Sequence, residues 1–327
     1  MKGKIVNLND YQSLVNRLKK NHKKLKNYIS SEQIEAYRIY QKDLPQIPYL
    51  LDIYKDSALI SEQGKRLNDE TEHLRSQHLE MIQEALTQVF NIPLSKQYVK
   101  VRQRQKGTQQ YQPYDKRSQN FFQIKEGKLT FIVNLERYLD SGLFLDHRPL
   151  RKKLANGLAK DKRVLNLFCY TGSLSVASAV GGAKEVYSTD LSATYLEWAY
   201  DNFLVNNLDP RKHQFVQADC LKELERLHED NEKFDLILLD PPSFSNSKRM
   251  DEDLDIQEDH ALLVRNCMRL LDPKGELYFS TNKKKFELHP IISEHYDVKE
   301  ISHWTIPLDF HHSNIHRCFL ISHKSTT

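Results

Sequence analysis

Four places in the second half of the chain combine residue types that can grip a nucleoside. The segment Asn166-Leu-Phe-Cys-Tyr-Thr-Gly172 closes on a glycine, with Phe168, Tyr170 and Thr171 just before it. Asp190 comes next, with Leu191 and Ser192 behind it, and then Asp219-Cys220 and Asp240-Pro-Pro-Ser-Phe244. Glycine lets a backbone approach a ligand closely, and a helix starting there presents amide N–H groups. A carboxylate at the end of the next strand accepts from both ribose hydroxyls, and a further one accepts from the amine of adenine. Each piece alone has a plainer explanation, because strand-end aspartates commonly cap helices and a lone glycine serves helix–strand packing. In this order, together, they fit the adenosine-based cofactor S-adenosylmethionine. The absence of G-x-G-x-x-G argues against a dinucleotide.

The loop at Asp240 has its own chemistry. Paired prolines stop a strand and stiffen the loop beyond it, which is a structural role in itself. In such a loop Asp240 and the carbonyls of Pro241 and Pro242 can face a planar base, with Phe244 stacking on it. Ser247, Lys248 and Arg249 suit phosphate contacts.

These residues need a scaffold that lines up strand ends. From residue 163 onward, apolar runs at 164–169, 185–190, 214–219, 234–240 and 276–281 alternate with helical stretches such as 192–207 and 254–271. A last strand is expected at 315–321. Fully apolar strands alternating with helices predict an α/β fold: a doubly wound, mostly parallel sheet of about seven strands. The first 140 residues read differently. A helix carries Leu14, Leu18, Leu25 and Tyr28 on one face, strands are expected at 35–40, 50–61, 97–102, 121–125 and 129–135, and a helix at 68–90. The chain therefore divides into an N-terminal α+β domain, 1–140, and a catalytic domain, 141–327.

Composition bounds the partners. The 327 residues are 39% hydrophobic and 28% charged, with a net charge of +4. No apolar run approaches the roughly 20 residues that cross a bilayer, and residues 1–10 lack a secretory signal core, so a cytoplasmic location and no membrane partner are expected. Cys169, Cys220, Cys267 and Cys318 lie far apart in or beside apolar runs, as buried reduced thiols do. Basic residues cluster at Arg17, Lys19, Lys20, Lys23, Lys24 and Lys26, again at 96–117, and again at 147–163. A lysine-rich helix face is often simply solvated, but three such stretches, with Tyr98, Tyr111 and Tyr114 among them, suit RNA. His303, His311, His312 and His316 match no zinc spacing, and no metal is expected.

The segments Ser141-Gly-Leu-Phe-Leu-Asp-His-Arg148, 166–172, Tyr195-Leu-Glu-Trp-Ala199 and Asp240-Pro-Pro-Ser-Phe-Ser-Asn-Ser-Lys-Arg-Met250 carry a specific resemblance. They resemble the C-terminal, guanine-N7 half of the bacterial bifunctional 23S rRNA methyltransferases, the RlmKL type. Val15-Asn-Arg-Leu-Lys-Lys-Asn21, Tyr37-Arg-Ile-Tyr40, Asp43-Leu-Pro45 and Arg102-Gln-Arg-Gln-Lys-Gly107 extend it over nearly the whole chain. The resemblance implies a Rossmann-like class I methyltransferase and a partner that is 23S rRNA or a ribosomal assembly intermediate. It implies a stand-alone N7 enzyme without the THUMP module and guanine-N2 half of the fusion. It also implies that residues 142–148 close over the cofactor, with Phe144 and Arg148 near it. By residue type alone, Phe144 equally suits a core, and His147 and Arg148 equally start a helix.

The acceptor narrows the chemistry further. Methylation of cytosine C5 requires a cysteine to attack the ring first, and 279–286 holds none. Enzymes acting on adenine N6 usually carry an aromatic residue directly after the prolines, where this chain has Ser243. Guanine N7 offers an in-plane lone pair and needs no base, and Asp240 can offset the charge of the cationic product. Guanine N7 is the expected target. Cytosine C5, adenine N6, a small molecule or protein substrate, and a non-catalytic ribosome assembly factor that keeps the cofactor pocket are the alternatives. Replacing Lys19, Lys20, Lys23 and Lys24 by glutamate is expected to weaken RNA binding and flatten its dependence on salt. Filter binding between 50 and about 200 mM salt checks this, and unchanged affinity would remove the helix as a contact.

Overall fold

Apolar residues recur at three- and four-residue intervals in α1 (Leu8–Ser31), so Leu14, Leu18 and Leu25 are buried while Lys19, Lys20, Lys23, Lys24 and Lys26 face solvent. The structure, a computed structural model, describes residues 8–62, 69–101, 120–138, 140–245, 254–310 and 315–324. Helices α1 and α2 (Asp69–Phe90) share a core with the sheet formed by β1 (Ala36–Gln41), β2 (Tyr49–Tyr54), β3 (Ser57–Glu62) and β4 (Gln97–Val101). β1 to β3 pair antiparallel, and β4 joins β3 in parallel through the α2 crossover. Residues 50–61, expected as one strand, form most of the β2–β3 hairpin instead. Lys55 turns the chain at φ 58°, with no glycine in the sequence to announce it. Its N–H donates to the Glu35 carbonyl at 2.6 Å, which fixes the turn against the neighbouring segment.

After the hairpin β5 (Phe121–Glu126) and β6 (Leu129–Asn134) the architecture changes. A seven-stranded sheet is built from β7 (Arg163–Leu167), β8 (Glu185–Asp190), β9 (Gln214–Gln217), β10 (Phe234–Leu239), β13 (Leu271–Thr281), β14 (Tyr296–Glu300) and β15 (Arg317–His323). Between β10 and β13 lies a short antiparallel pair, β11 (Phe244–Ser245) and β12 (Leu254–Asp255). The sheet order is β14-β15-β13-β10-β7-β8-β9, with β15 antiparallel to its neighbours β13 and β14 and the other pairs parallel. Alternate strand residues point to opposite layers. Val164, Val186, Leu236 and Leu238 pack with Val176 of α4 (Ser173–Val180) and Phe203 of α5 (Ala193–Val205). Leu165, Leu167, Ile237 and Leu239 pack with Leu224 of α6 (Cys220–Glu229) and Leu263 of α7 (Ile256–Leu270). This is the expected doubly wound sheet. The short helix α8 (Pro290–His295) leads directly into β14. β14 itself escapes sequence patterning because an edge strand with mostly half-exposed or exposed residues has no apolar run.

The β5–β6 hairpin precedes residue 140, where sequence places the domain boundary, yet it packs with the sheet beyond that point. Ile124, Leu129, Phe131 and Val133 share a core with Leu150, Val164 and Leu236. The side chains of Asn206, just past the end of α5, and Asn202, on α5, accept from the amides of Thr130 and Ile132, each at 2.9 Å.

Buried charges join the N-terminal sheet to this core. Arg148, at the start of α3 (Arg148–Lys153), donates to Asp309 at 2.5 Å and to the Ala36 carbonyl of β1 at 2.6 Å. Asp309 also accepts from the Arg38 amide at 2.9 Å, and Arg38 pairs with Asp52 of β2 at 2.7 Å. Arg151 makes a two-pronged pair with Glu126, both contacts at 2.7 Å. Two arginines of the 147–163 basic stretch thus face inward, away from any polyanion. All four cysteines are buried and free. No helix among the described residues is long and apolar enough to cross a membrane. Because Asp309 is fully buried and serves both sides of the joint, Asp309→Ala is expected to cost about 3–5 kcal/mol of stability in chemical denaturation.

Candidate active site

β7 to β9 build outward in one direction, and the chain then returns to lay β10 against the other side of β7. A crevice opens at such a reversal, beyond the C-terminal ends of the strands. Leu167 of β7 sits opposite Leu239 of β10, so the segments 168–172 and 240–244 leave the sheet side by side.

The first segment is wound tightly. Phe168, Tyr170 and Gly172 all have positive φ, at 54°, 51° and 70°, and the two non-glycine residues each cost on the order of 1 kcal/mol in this region. Hydrogen bonds hold them there. The Phe168 amide donates to Cys220 Sγ at 3.3 Å, and the Tyr170 amide donates to Asp190 Oδ2 at 2.9 Å. Gly172 is required at its position, because a Cβ there meets Ala199 of α5 at 2.7 Å. The loop also carries residues 141–143. The Gly142 amide donates to Tyr170 Oη at 3.0 Å, and Thr171 Oγ1 donates to the Gly142 carbonyl at 2.6 Å. A Cβ on Gly142 meets Trp198 at 2.2 Å. The rings of Phe144, Tyr170 and Tyr195 form a continuous aromatic wall, with centroids 5.1 and 4.5 Å apart.

Asp190 binds its two carboxylate oxygens to different segments, Oδ2 to Tyr170 and Oδ1 to the Ser192 amide at 2.9 Å. Burial raises its pKa to about 6, against the opposing pull of the backbone amides. Ser192 caps α5, and its neighbour Leu191 is half-buried. Asp219 caps α6 by accepting from the Leu221 amide at 2.9 Å, which is the plainer of its two expected roles. Asn166 and Cys220 do not line the crevice. Asn166 is buried and donates to Ser175 at 2.8 Å, and Cys220 holds the loop from beneath. Arg148 likewise commits its guanidinium to the domain joint, since the helix it starts points it into the core.

Asp240 leaves β10 beside Ser280 of β13, whose hydroxyl donates to Oδ1 at 2.6 Å. His147 Nε2 lies 3.2 Å from Oδ2. The same nitrogen is 3.9 Å from Asp146 Oδ2, and the imidazole stacks on that of His316 at 5.1 Å. His316 bonds Asp146 at 2.9 Å and Thr305 of α9 (Ser302–Thr305) at 2.9 Å. Burial favours neutral His147, but Asp240 and Asp146 outweigh it and raise the pKa to about 9. His147 is therefore a cation at neutral pH, and with His316 it holds Asp146 far below the usual carboxylate range despite its burial. Ligand-type atoms of Asp146, His147 and His316 lie within 4.8 Å of one another. A cation there would displace the hydrogen bond between His316 and Asp146, and no metal is assigned. Pro241 is buried, Pro242 is exposed, and Phe244 presents its ring to solvent at 56% exposure. Lys248 and Arg249 lie outside the described residues, as do Tyr111, Tyr114, His311 and His312.

Sequence reading missed Ser280, the aromatic wall and the pairing of His147 with Asp240. Asp146 and His147 stood in a motif that carries the family resemblance, but their partners lie far along the chain.

The residues at the crevice fit an adenosine-based cofactor: an aromatic wall, a strand-end carboxylate and a low glycine loop. Comparison with known proteins agrees. The sequence profile described as S-adenosylmethionine-dependent methyltransferase matches residues 66–305. The chain is 43% identical over 318 residues to ribosomal RNA large subunit methyltransferase K of Neisseria meningitidis serogroup B, covering 97% of this chain and 89% of that protein. It is 49% identical over 311 residues to ribosomal RNA large subunit methyltransferase K/L of Legionella pneumophila strain Corby. There it covers 95% of this chain but only 43% of the relative. Among solved structures, SMU.776, described as a methyltransferase and complexed with SAH, superposes with a TM-score of 0.75 at 26% identity, over 95% of this chain and 81% of that one. The cofactor is S-adenosylmethionine. With the Asp190 pKa at about 6, the acceptor form is lost below that value, so cofactor affinity is expected to fall about tenfold from pH 7 to pH 5. Calorimetric titration across that range checks it, and a flat profile would separate Asp190 from the ribose.

Proposed function

The chain belongs to the S-adenosylmethionine-dependent methyltransferase family, among the K and K/L ribosomal RNA large subunit methyltransferases, and from that premise we propose that it methylates guanine N7 in 23S rRNA. The observation that carries the reading is the placement of Asp240, a doubly anchored carboxylate beside an exposed Phe244 at the mouth of the crevice. S-adenosylmethionine supplies an electrophilic methyl group, and the reaction is an in-line displacement governed by positioning.

The chain's own residues divide the task. Asp190 accepts the ribose hydroxyls, while Leu191, Ser192 and Asp219 flank the nucleoside. Phe144, Phe168, Tyr170, Thr171 and Gly172 wall the donor end and exclude water. Asp240, Pro241 and Pro242 hold the base, and Phe244 stacks on it. Guanine N7 attacks with its own lone pair and no proton leaves that atom, so the site needs neither a general base nor a nucleophile. Cys169 and Cys220 are buried, with thiol pKa values pushed well up by burial, so neither offers the crevice a nucleophile. The base gains positive charge as the bond forms, and Asp240 offsets it. The exposed lysines of α1 supply the RNA contact, with Arg17 beside them half-buried and 4.0 Å from Asp43. Lys248 and Arg249, just beyond the base-holding loop, are assigned to phosphates.

Incubation of unmodified 23S rRNA with labelled cofactor is expected to place the label in 7-methylguanosine. Label in 5-methylcytidine or N6-methyladenosine would reject the assignment. Asp240→Ala is expected to lower turnover by about a hundredfold or more, with cofactor affinity within a few-fold. Loss of cofactor binding instead would mean that Asp240 serves the donor rather than the acceptor.

A further inference from the structure

His147 is buried, and its Nε2 faces two carboxylates, Asp240 from the end of β10 and Asp146 beside it in the chain. The other charged or titratable groups facing it are His316, stacked on its ring, and Arg151 of α3. Two carboxylates that both approach one nitrogen, at 3.2 and 3.9 Å, repel each other, and a counter-charge between them relieves that repulsion. An imidazolium between them removes that conflict. Two negative groups and one positive group leave a single net negative charge, on the side of the group that faces the crevice through the partly exposed Asp240.

The Ser280 hydroxyl holds the other oxygen of Asp240. With one oxygen on β13 and the other on His147, the carboxylate plane is fixed between two rigid elements. Thr305 and Asp146 in turn fix His316, which supports the His147 ring from its open face.

We propose that His147 is a positioning residue for methyl transfer: set between Asp146 and Asp240, it bridges the two carboxylates and aims Asp240 at the base. This rests on the reading of Asp240 as the group that offsets charge on guanine. His147 touches neither base nor cofactor in this scheme; it acts through Asp240. Its removal should therefore leave cofactor binding intact while Asp240 loses the counter-charge and the hydrogen bond that aim it. The wild-type enzyme should hold its rate through pH 8 and lose it above about 9 as the imidazolium deprotonates.

The test is single-turnover methylation of 23S rRNA transcript at saturating cofactor, from pH 6.5 to about 9.5, with S-adenosylhomocysteine affinity measured in parallel. His147→Ala is expected to slow methylation by about tenfold or more at pH 7.5, with affinity for S-adenosylhomocysteine within about threefold and without the wild-type alkaline decline. His147→Gln restores a hydrogen-bond donor without the charge, so it should recover part of the rate and lose the wild-type alkaline decline. If the alanine variant does not fold, the glutamine variant decides by its pH profile alone. A wild-type rate and profile in either folded variant overturns the proposal, as does a loss shared equally by rate and cofactor affinity at every pH. Product identity separates this from the parent reading: a wild-type product other than 7-methylguanosine refutes the guanine assignment, whatever the variants do.

Discussion

Strands β7 and β10 run side by side in parallel, and the segments leaving them start at one level. Every residue assigned to the crevice takes its position from that pairing. The backbone from 168 to 172 rises from one strand, the proline-stiffened loop from the other, and β8 sets Asp190 beside them because Leu167 pairs with Thr189. The sheet is buried on both faces, so its strands cannot shift register without moving a whole set of core side chains. A rigid base of this kind is what allows Phe168 and Tyr170 to stay in a sparsely populated backbone region at the rim.

Polar residues turn that rim into one connected unit. Asp190 links the loop after β7 to the start of α5, and Tyr170 and Thr171 carry residues 141–143 on the same loop. That segment continues through Phe144 of the aromatic wall to Asp146 and His147, and so to Asp240 on the opposite side of the crevice. The two sides of the crevice are thereby braced by one short stretch of chain. Arg148, the next residue, anchors the stretch to Asp309 and β1. The N-terminal sheet is therefore fixed relative to the crevice by buried charge.

The order of elements was legible in the sequence because apolar periodicity reports burial, and burial is decided by local runs of residue type. Elements without such a run were not: β14 is an edge strand with exposed positions, and the β2–β3 turn rests on Lys55, a residue with no turn preference. Nor did any pattern mark the two asparagines through which the β5–β6 hairpin packs against α5 and its C-terminal end.

The same division runs through the site. Gly172, Asp190, Asp219 and Asp240 could be picked out because each closes an apolar run, and a parallel sheet brings such ends together by topology alone. What each side chain does there was beyond sequence. Asn166, Cys220 and Arg148 have suitable chemistry, yet each is turned inward and committed to a structural partner. His147 and Asp240 are neighbours only because β10 and the segment before α3 meet at one crevice, and His316 joins them from the far end of the chain. Residue types and their spacing determined the sheet, the cofactor class and the location of the crevice. Tertiary structure alone decided which groups are charged and where they point, because desolvation and ion pairing depend on neighbours that the linear chain keeps far apart.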